Sequence, residues 1–228
     1  MLVFVAAERR ELEGLLAHID EIARFDWPLD FARRGRLNGR LVILVANGPG
    51  PKLAGEAVDA VDRNEEEDLD ALVSIGFCGG LRPSLSACDI FVATEVVGVS
   101  PALAPSSSRP FQTGRLLSID RVVSTAAEKV AFAKNADAVE MEATSVAERA
   151  KRYNIPFYAV RVVTDTFEES FPLDFNAMRS PDGRFSRAKI LAAALRRPAT
   201  VFPELIKLNK RTKRASQALG DFLADARF

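Results

Sequence analysis

The chain has 228 residues, 48% of them hydrophobic, and its 31 Lys and Arg are balanced by 31 Asp and Glu, so it can bury a substantial core as one domain and does not read as disordered. Two cysteines, Cys78 and Cys88, and a single histidine, His18, are too few for a disulfide framework or a zinc site, and they make Ser-His-Asp or Cys-His catalysis a poor reading. No apolar run approaches the roughly 18 to 20 residues that cross a bilayer, and Met1 leads straight into LVFVA without a basic leader, so a cytosolic protein is expected.

The neutral total hides an asymmetry. Between Arg184 and Arg214 stand ten basic residues (Arg184, Arg187, Lys189, Arg196, Arg197, Lys207, Lys210, Arg211, Lys213 and Arg214) against one acid, Glu204, leaving 21 basic and 30 acidic residues elsewhere. A basic terminal segment on an acidic body suits contact with phosphate groups.

In chain order, Leu2 to Ala6 predicts a buried strand, and Glu8 to Ile19 a helix whose Leu12, Leu15, Leu16 and Ile19 share one face, with Glu11 in its first turn and His18 late in it. Asp30 to Val45 predicts a hairpin turning at Asn38-Gly39. Gly48-Pro49-Gly50-Pro51 opens a helix from about Lys52 to Arg63, and a strand from Ala71 to Ile75 runs into a glycine turn, Gly76-Phe77-Cys78-Gly79-Gly80. Asp89 to Val96 is another strand, and residues 97 to 113, with Pro101, Pro105 and Pro110, form a long irregular connection of the kind used as lids or oligomer contacts. Arg115 to Ile119 predicts a short strand, Val122 to Lys134 a helix, Ala136 to Val139 a strand, Met141 to Tyr153 a helix and Phe157 to Val163 a strand. From Phe171 the chain reads as helical and connecting, with Asp182-Gly183 a turn and Pro198 and Pro203 as breakers. Alternating strands and helices imply an α/β fold with a mixed central sheet covered by helices, and sites near the carboxyl ends of its strands.

Chemistry concentrates in two stretches. Glu140-Met141-Glu142 stands where a strand hands over to a helix, and FYAVRVVTD (157 to 165) is an apolar strand ending on Arg161, Thr164 and Asp165. Glu142 can serve merely as an acid at a helix N-terminus and Asp165 as a cap, but Asp165 in surroundings that raise its pKa is also a candidate proton donor. The glycine turns lack the spacing of a dinucleotide or P-loop fingerprint.

The order GFCGGL (76 to 81), SID (118 to 120), VEMEATSVA (139 to 147) and VRVVTDT (160 to 166) resembles the nucleoside phosphorylase and nucleosidase superfamily, which includes purine nucleoside phosphorylases and methylthioadenosine/S-adenosylhomocysteine nucleosidases. The likeness spans about residues 1 to 170. LDFNAM (173 to 178), DGRF (182 to 185) and RRP (196 to 198) look like the hopanoid-associated phosphorylase branch, which acts on adenosylhopane.

The resemblance implies a three-layer catalytic core over 1 to 170, with a helical, basic extension (171 to 228) packed on it, and N-glycosidic cleavage of an adenine-type nucleoside, lipid-linked in that branch. Asp165 would protonate N7 of the purine, Glu142 would accept the ribose hydroxyls, Met141 would pack beneath the sugar, and Glu11 would activate water. Arg161 and Thr164 would position the Asp165 loop; Gly76, Phe77, Cys78, Val122 and Val123 would line the pocket, with Glu140 beside them as a structural residue. No metal or cofactor is implied beyond phosphate as a co-substrate. A homo-oligomer of at least two subunits is expected, with no nucleic acid partner and with peripheral membrane contact through the basic segment.

Three departures qualify the match. Phe77 replaces a hydroxyl that helps hold phosphate or water, Val122 replaces an aromatic that stacks on the purine, and EMEATS stands for EMEGAA. Phosphorolysis and hydrolysis both stay open: Glu11 favours water, whereas Arg9, Arg10 or Arg34 turned inward would favour phosphate. A catalytically silent nucleoside-binding or membrane-surface protein is the alternative.

Overall fold

A computed structural model describes residues 1–171, 173–196 and 198–228. Arg197, one of the ten basic residues, thus lies outside the described residues. The elements run β1 (Leu2–Ala6), α1 (Arg9–Leu16), β2 (Ile19–Arg24), β3 (Phe31–Leu37), β4 (Arg40–Ala46), α2 (Pro51–Asn64), β5 (Ala71–Gly80), β6 (Ile90–Val96), β7 (Ser100–Pro101), β8 (Gln112–Ser118), α3 (Ala126–Phe132), β9 (Ala138–Glu140), α4 (Ala143–Tyr153), β10 (Phe157–Asp165), α5 (Arg187–Arg196) and α6 (Pro198–Asp225).

The architecture is the expected mixed sheet between helices. On one side of β5 the order continues β1-β4-β3-β2; on the other, β10 pairs with both β5 and β6, β6 with β8, β8 with β9, and β9 returns to β5. That second set closes on itself as a small barrel, which leaves β5 shared by both halves. Closure removes open edges on that side, and β10 is buried at every residue.

Period-two alternation sorts the strands between two layers. Val3 and Val5 of β1 face the side covered by α2 and α4, while Leu2, Phe4 and Ala6 face the side covered by α1 and α6. On the second side Leu12 and Leu15 meet Leu219, Phe222 and Leu223, all fully buried, each such side chain worth about 1.5–3 kcal/mol. Close approach of α1 and α6 is set by glycine: a Cβ on Gly14 would fall 2.0 Å from the Ser216 carbonyl oxygen, and the Gly14 N–H donates to Ser216 Oγ at 3.0 Å. The C-terminal half of α6 is therefore built into the core.

Several expected boundaries shift for identifiable reasons. The first helix stops at Leu16, and Ile19–Arg24 forms an edge strand paired with β3; of its residues only Ile19 is buried, so no apolar alternation announces it. The run Gly76 to Gly80 is the second half of β5 rather than a turn, because it pairs with β10 and β9. The helix expected from Val122 begins at Ala126, since Thr125 and Glu128 form a capping box that fixes its start. Part of the irregular connection is strand: β7 and the beginning of β8. Pro203 does not end a helix, because α6 runs through it, and Pro198 opens that helix.

Candidate active site

The carboxyl ends of β5, β9 and β10, the start of α1 and the loops before α2 and α3 surround a cleft of about 170 Å³. Of the residues singled out from the sequence, Glu11, Phe77, Cys78, Val122, Val123, Glu140, Met141, Glu142, Thr164 and Asp165 line it together, and Gly76 and Arg161 do not. The sequence reading missed the linings Pro49, Arg121, Phe171 and Phe185.

Glu11 is held by main chain. Its Oε2 accepts the N–H groups of Ala7 (2.8 Å) and Glu8 (2.9 Å), and its Oε1 accepts that of Phe77 (2.9 Å). Burial nevertheless raises its pKa, and the backbone donors only offset part of that effect. Gly76, with φ +143, makes this approach feasible: a Cβ there would lie 2.7 Å from Glu11 Oε1. Phe77 thus serves the site through its N–H as well as its ring, over which Arg10 lies at 6.0 Å.

Asp165 stands at the end of β10, opposite Gly79 of β5. Thr164 Oγ1 donates to its Oδ1 at 2.9 Å, and Lys129 Nζ lies 2.6 Å from its Oδ2. Gly79 has no side chain because a Cβ would sit 2.8 Å from Oδ2. Burial pushes the Asp165 pKa up against the pull of Lys129 and Thr164. Lys129 was not foreseen: α3 turns it fully inward while its neighbour Val130 is 52% exposed, the reverse of what hydropathy suggests. No sequence signal marks it.

The two glutamates of EME divide their tasks. Glu140 accepts the N–H groups of Glu142 (2.9 Å) and Ala143 (3.0 Å), so it, rather than Glu142, satisfies the start of α4. Arg161 Nη2 lies 2.5 Å from Glu140 Oε2 and donates to Ser74 Oγ at 2.7 Å. Arg161, on the strand that ends at Asp165, therefore anchors Glu140 beneath the cleft. Burial opposes ionisation of Glu140, but Arg161 and the hydrogen bonds prevail and hold its pKa below the usual value.

Among the described residues the Glu142 carboxylate accepts only the Gly50 N–H as a hydrogen bond, at 2.7 Å. Burial, then the charges of Glu140 and Glu11, push its pKa well above the usual carboxylate value. Met141 lies beside it on the wall. Cys78 is buried, and burial drives its thiol pKa upward, so it is no thiolate nucleophile.

The segment after β10 folds over the mouth. Asn176 reads both main-chain groups of Val122, accepting its N–H at 2.8 Å and donating to its carbonyl at 2.9 Å, and Arg179 Nη2 meets Asp120 Oδ1 at 2.8 Å. Of the arginines considered for phosphate, Arg10 lines the cleft but pairs with Glu8 at 2.5 Å, Arg34 is held by Glu67 at 2.6 Å away from the cleft, and Arg9 lies over Phe31. Among the described residues no group of His, Cys, Asp and Glu could hold a metal ion.

Similar folds occur among solved proteins. A 5'-methylthioadenosine/S-adenosylhomocysteine nucleosidase from Neisseria meningitidis, in complex with methylthio-immucillin-A, matches with a TM-score of 0.69 at 20% identity over 98% of this chain and 96% of that one. The corresponding nucleosidase from S. pneumoniae, with a transition-state inhibitor, gives 0.68 at 18% identity over 98% of each chain. A futalosine hydrolase mutant of Helicobacter pylori gives 0.63 at 16% identity over 96% of each. The family model of the phosphorylase superfamily matches residues 2–106 and 100–195. The chain belongs to the phosphorylase superfamily.

Proposed function

We propose that the protein hydrolyses the N-glycosidic bond of an adenine nucleoside. The observation that carries this reading is the convergence of three buried carboxyl groups, Asp165, Glu142 and Glu11, on one cleft, each with its pKa raised by burial. Breaking the bond places positive charge on the ribosyl ring and negative charge on the base. Asp165 donates a proton to N7, Glu142 accepts the ribose hydroxyls and faces the growing positive charge, and Met141 packs beneath the sugar. Glu11 takes a proton from the attacking water. Val122 and Val123 cover the base without stacking.

Water is the better nucleophile for this cleft. The charge of Glu11 raises the cost of ionising Glu142, and a phosphate dianion beside them would meet the same repulsion. The two arginines that line the cleft, Arg10 and Arg121, are already paired with Glu8 and Glu128. Free adenine measured from adenosine, methylthioadenosine and adenosylhopane, with and without phosphate, tests the reading. Release that needs no phosphate supports it; release only with phosphate makes the protein a phosphorylase, and binding without release makes it a silent relative.

The finer substrate assignment is a lipid-linked adenosine such as adenosylhopane, taken up by a cytosolic enzyme resting on the membrane. Its support is the face of α5 and α6, where Leu191 (55%), Leu195 (64%), Phe202 (39%) and Ile206 (56%) are exposed beside the exposed Lys189, Lys207 and Lys210. Sedimentation with anionic and neutral vesicles checks it. The same reading has the enzyme at least dimeric, through the connection at 97 to 113, where Leu103 is 51% exposed; a monomer by light scattering would contradict this.

A further inference from the structure

Lys129 is a buried charge to which the chemistry above gives no task. Its side chain is 1% exposed, its Nζ donates to the Thr166 carbonyl at 2.6 Å and lies 2.6 Å from Asp165 Oδ2, and the Phe171 ring sits 5.9 Å away. Among the described residues the ammonium has no hydrogen-bond or ion-pair partner beyond that carboxylate and that carbonyl.

The pair poses a problem for a proton donor. An ammonium 2.6 Å from a carboxylate favours the ionised carboxylate, and an ionised Asp165 has nothing to give N7. Counting protons resolves it. Ammonium with carboxylate and amine with carboxylic acid contain the same single transferable proton, and burial penalises the first, charge-separated form. The pair is thus a two-site proton store in which the acid form is reached by a shift across one hydrogen bond.

We propose that Lys129 is the proton source for the departing purine, acting through Asp165. One proton moves from Nζ to Oδ2 and from the carboxyl group to N7 as the C1'–N9 bond breaks with its electron pair going to the base. Lys129 is left as a neutral amine, Asp165 as a carboxylate and the base as neutral N7-protonated adenine. Water supplies hydroxide to C1' and its other proton to Glu11, and solvent restores the ammonium after the product leaves. This rests on the nucleosidase reading, with Lys129 as a positioning residue that does not itself touch the substrate.

A strut that only orients Asp165 would behave differently. Lys129→Arg keeps the charge and the ion pair but cannot release a proton at any working pH. Lys129→Ala removes both, and small primary amines can then be supplied in solution. The relay expects both variants to lose about 100-fold or more in kcat with little change in KM, and it expects added amines to restore the alanine variant to a degree that varies with amine pKa. An active arginine variant, or an alanine variant that no amine restores, overturns it. Wild-type enzyme releasing no adenine from any nucleoside removes the nucleosidase reading itself, a result distinct from turnover that survives the substitutions. Should neither variant fold, Lys129→Gln takes their place, keeping a donor to Asp165 that has no proton to give: a loss of about 100-fold in kcat with KM kept supports the relay, and wild-type turnover overturns it.

Discussion

Arg161 Nη2 and Glu140 Oε2 lie 2.5 Å apart at the floor of the cleft, with Arg161 fully buried and Glu140 1% exposed at the side chain. The pair joins β10 to the start of α4, so the strand that carries Asp165 and the turn that carries Glu142 are fixed to one another. Arg161→Met leaves Glu140 as a buried charge without its counterion and is expected to cost about 3–5 kcal/mol in urea unfolding. Adding Glu140→Gln should recover part of that loss. Strictly additive losses would mean that the pair is not a unit.

Glu142 has the opposite balance. Its folded pKa is raised, so its favourable contribution is complete below the unfolded value near 4 and is lost as pH rises through the folded value. Replacing it with glutamine removes the cost of a buried charge while keeping the shape. Glu142→Gln is therefore expected to be more stable than the wild type near neutral pH, by about 0.5–2 kcal/mol, with the difference vanishing at acid pH. It should also lose turnover. Tm measured from pH 4 to pH 8 would show the crossover, and a constant difference would contradict it.

Two carboxylates of the site rest on glycines of β5. A methyl group at position 79 would fall 2.8 Å from Asp165 Oδ2, and one at position 76 would fall 2.7 Å from Glu11 Oε1. Gly79→Ala is expected to displace the acid and lower kcat by about 100-fold while the protein stays folded. Gly76→Ala adds backbone strain at φ +143 and should cost both activity and stability. Steady-state kinetics with thermal unfolding separates the two, and full activity in Gly79→Ala would show that Asp165 needs no such fit.

Much of this could be read from local patterns. Asn38 and Gly39 both have positive φ, as a two-residue hairpin turn demands, and the apolar runs of β1 and β10 became buried strands. The capping box at Thr125 and Glu128 is also legible in the sequence, and it puts Val122 and Val123 in the loop that lines the cleft. Other features depend on tertiary context. The glycine run reads as a turn until the two carboxylates pressing on it are seen. Lys129 turns inward only because β10 places Asp165 and the Thr166 carbonyl within its reach. Arg161 and Glu140 stand 21 positions apart, and spacing alone could not pair them.

Adenine release by the Asp165→Asn and Glu11→Gln variants, assayed beside the wild type without phosphate and with matched Tm, tests the account most directly. The account predicts release by the wild type and a loss of about 100-fold to 10,000-fold in kcat for Asp165→Asn, with a comparable loss for Glu11→Gln. Undiminished release by Asp165→Asn would contradict it.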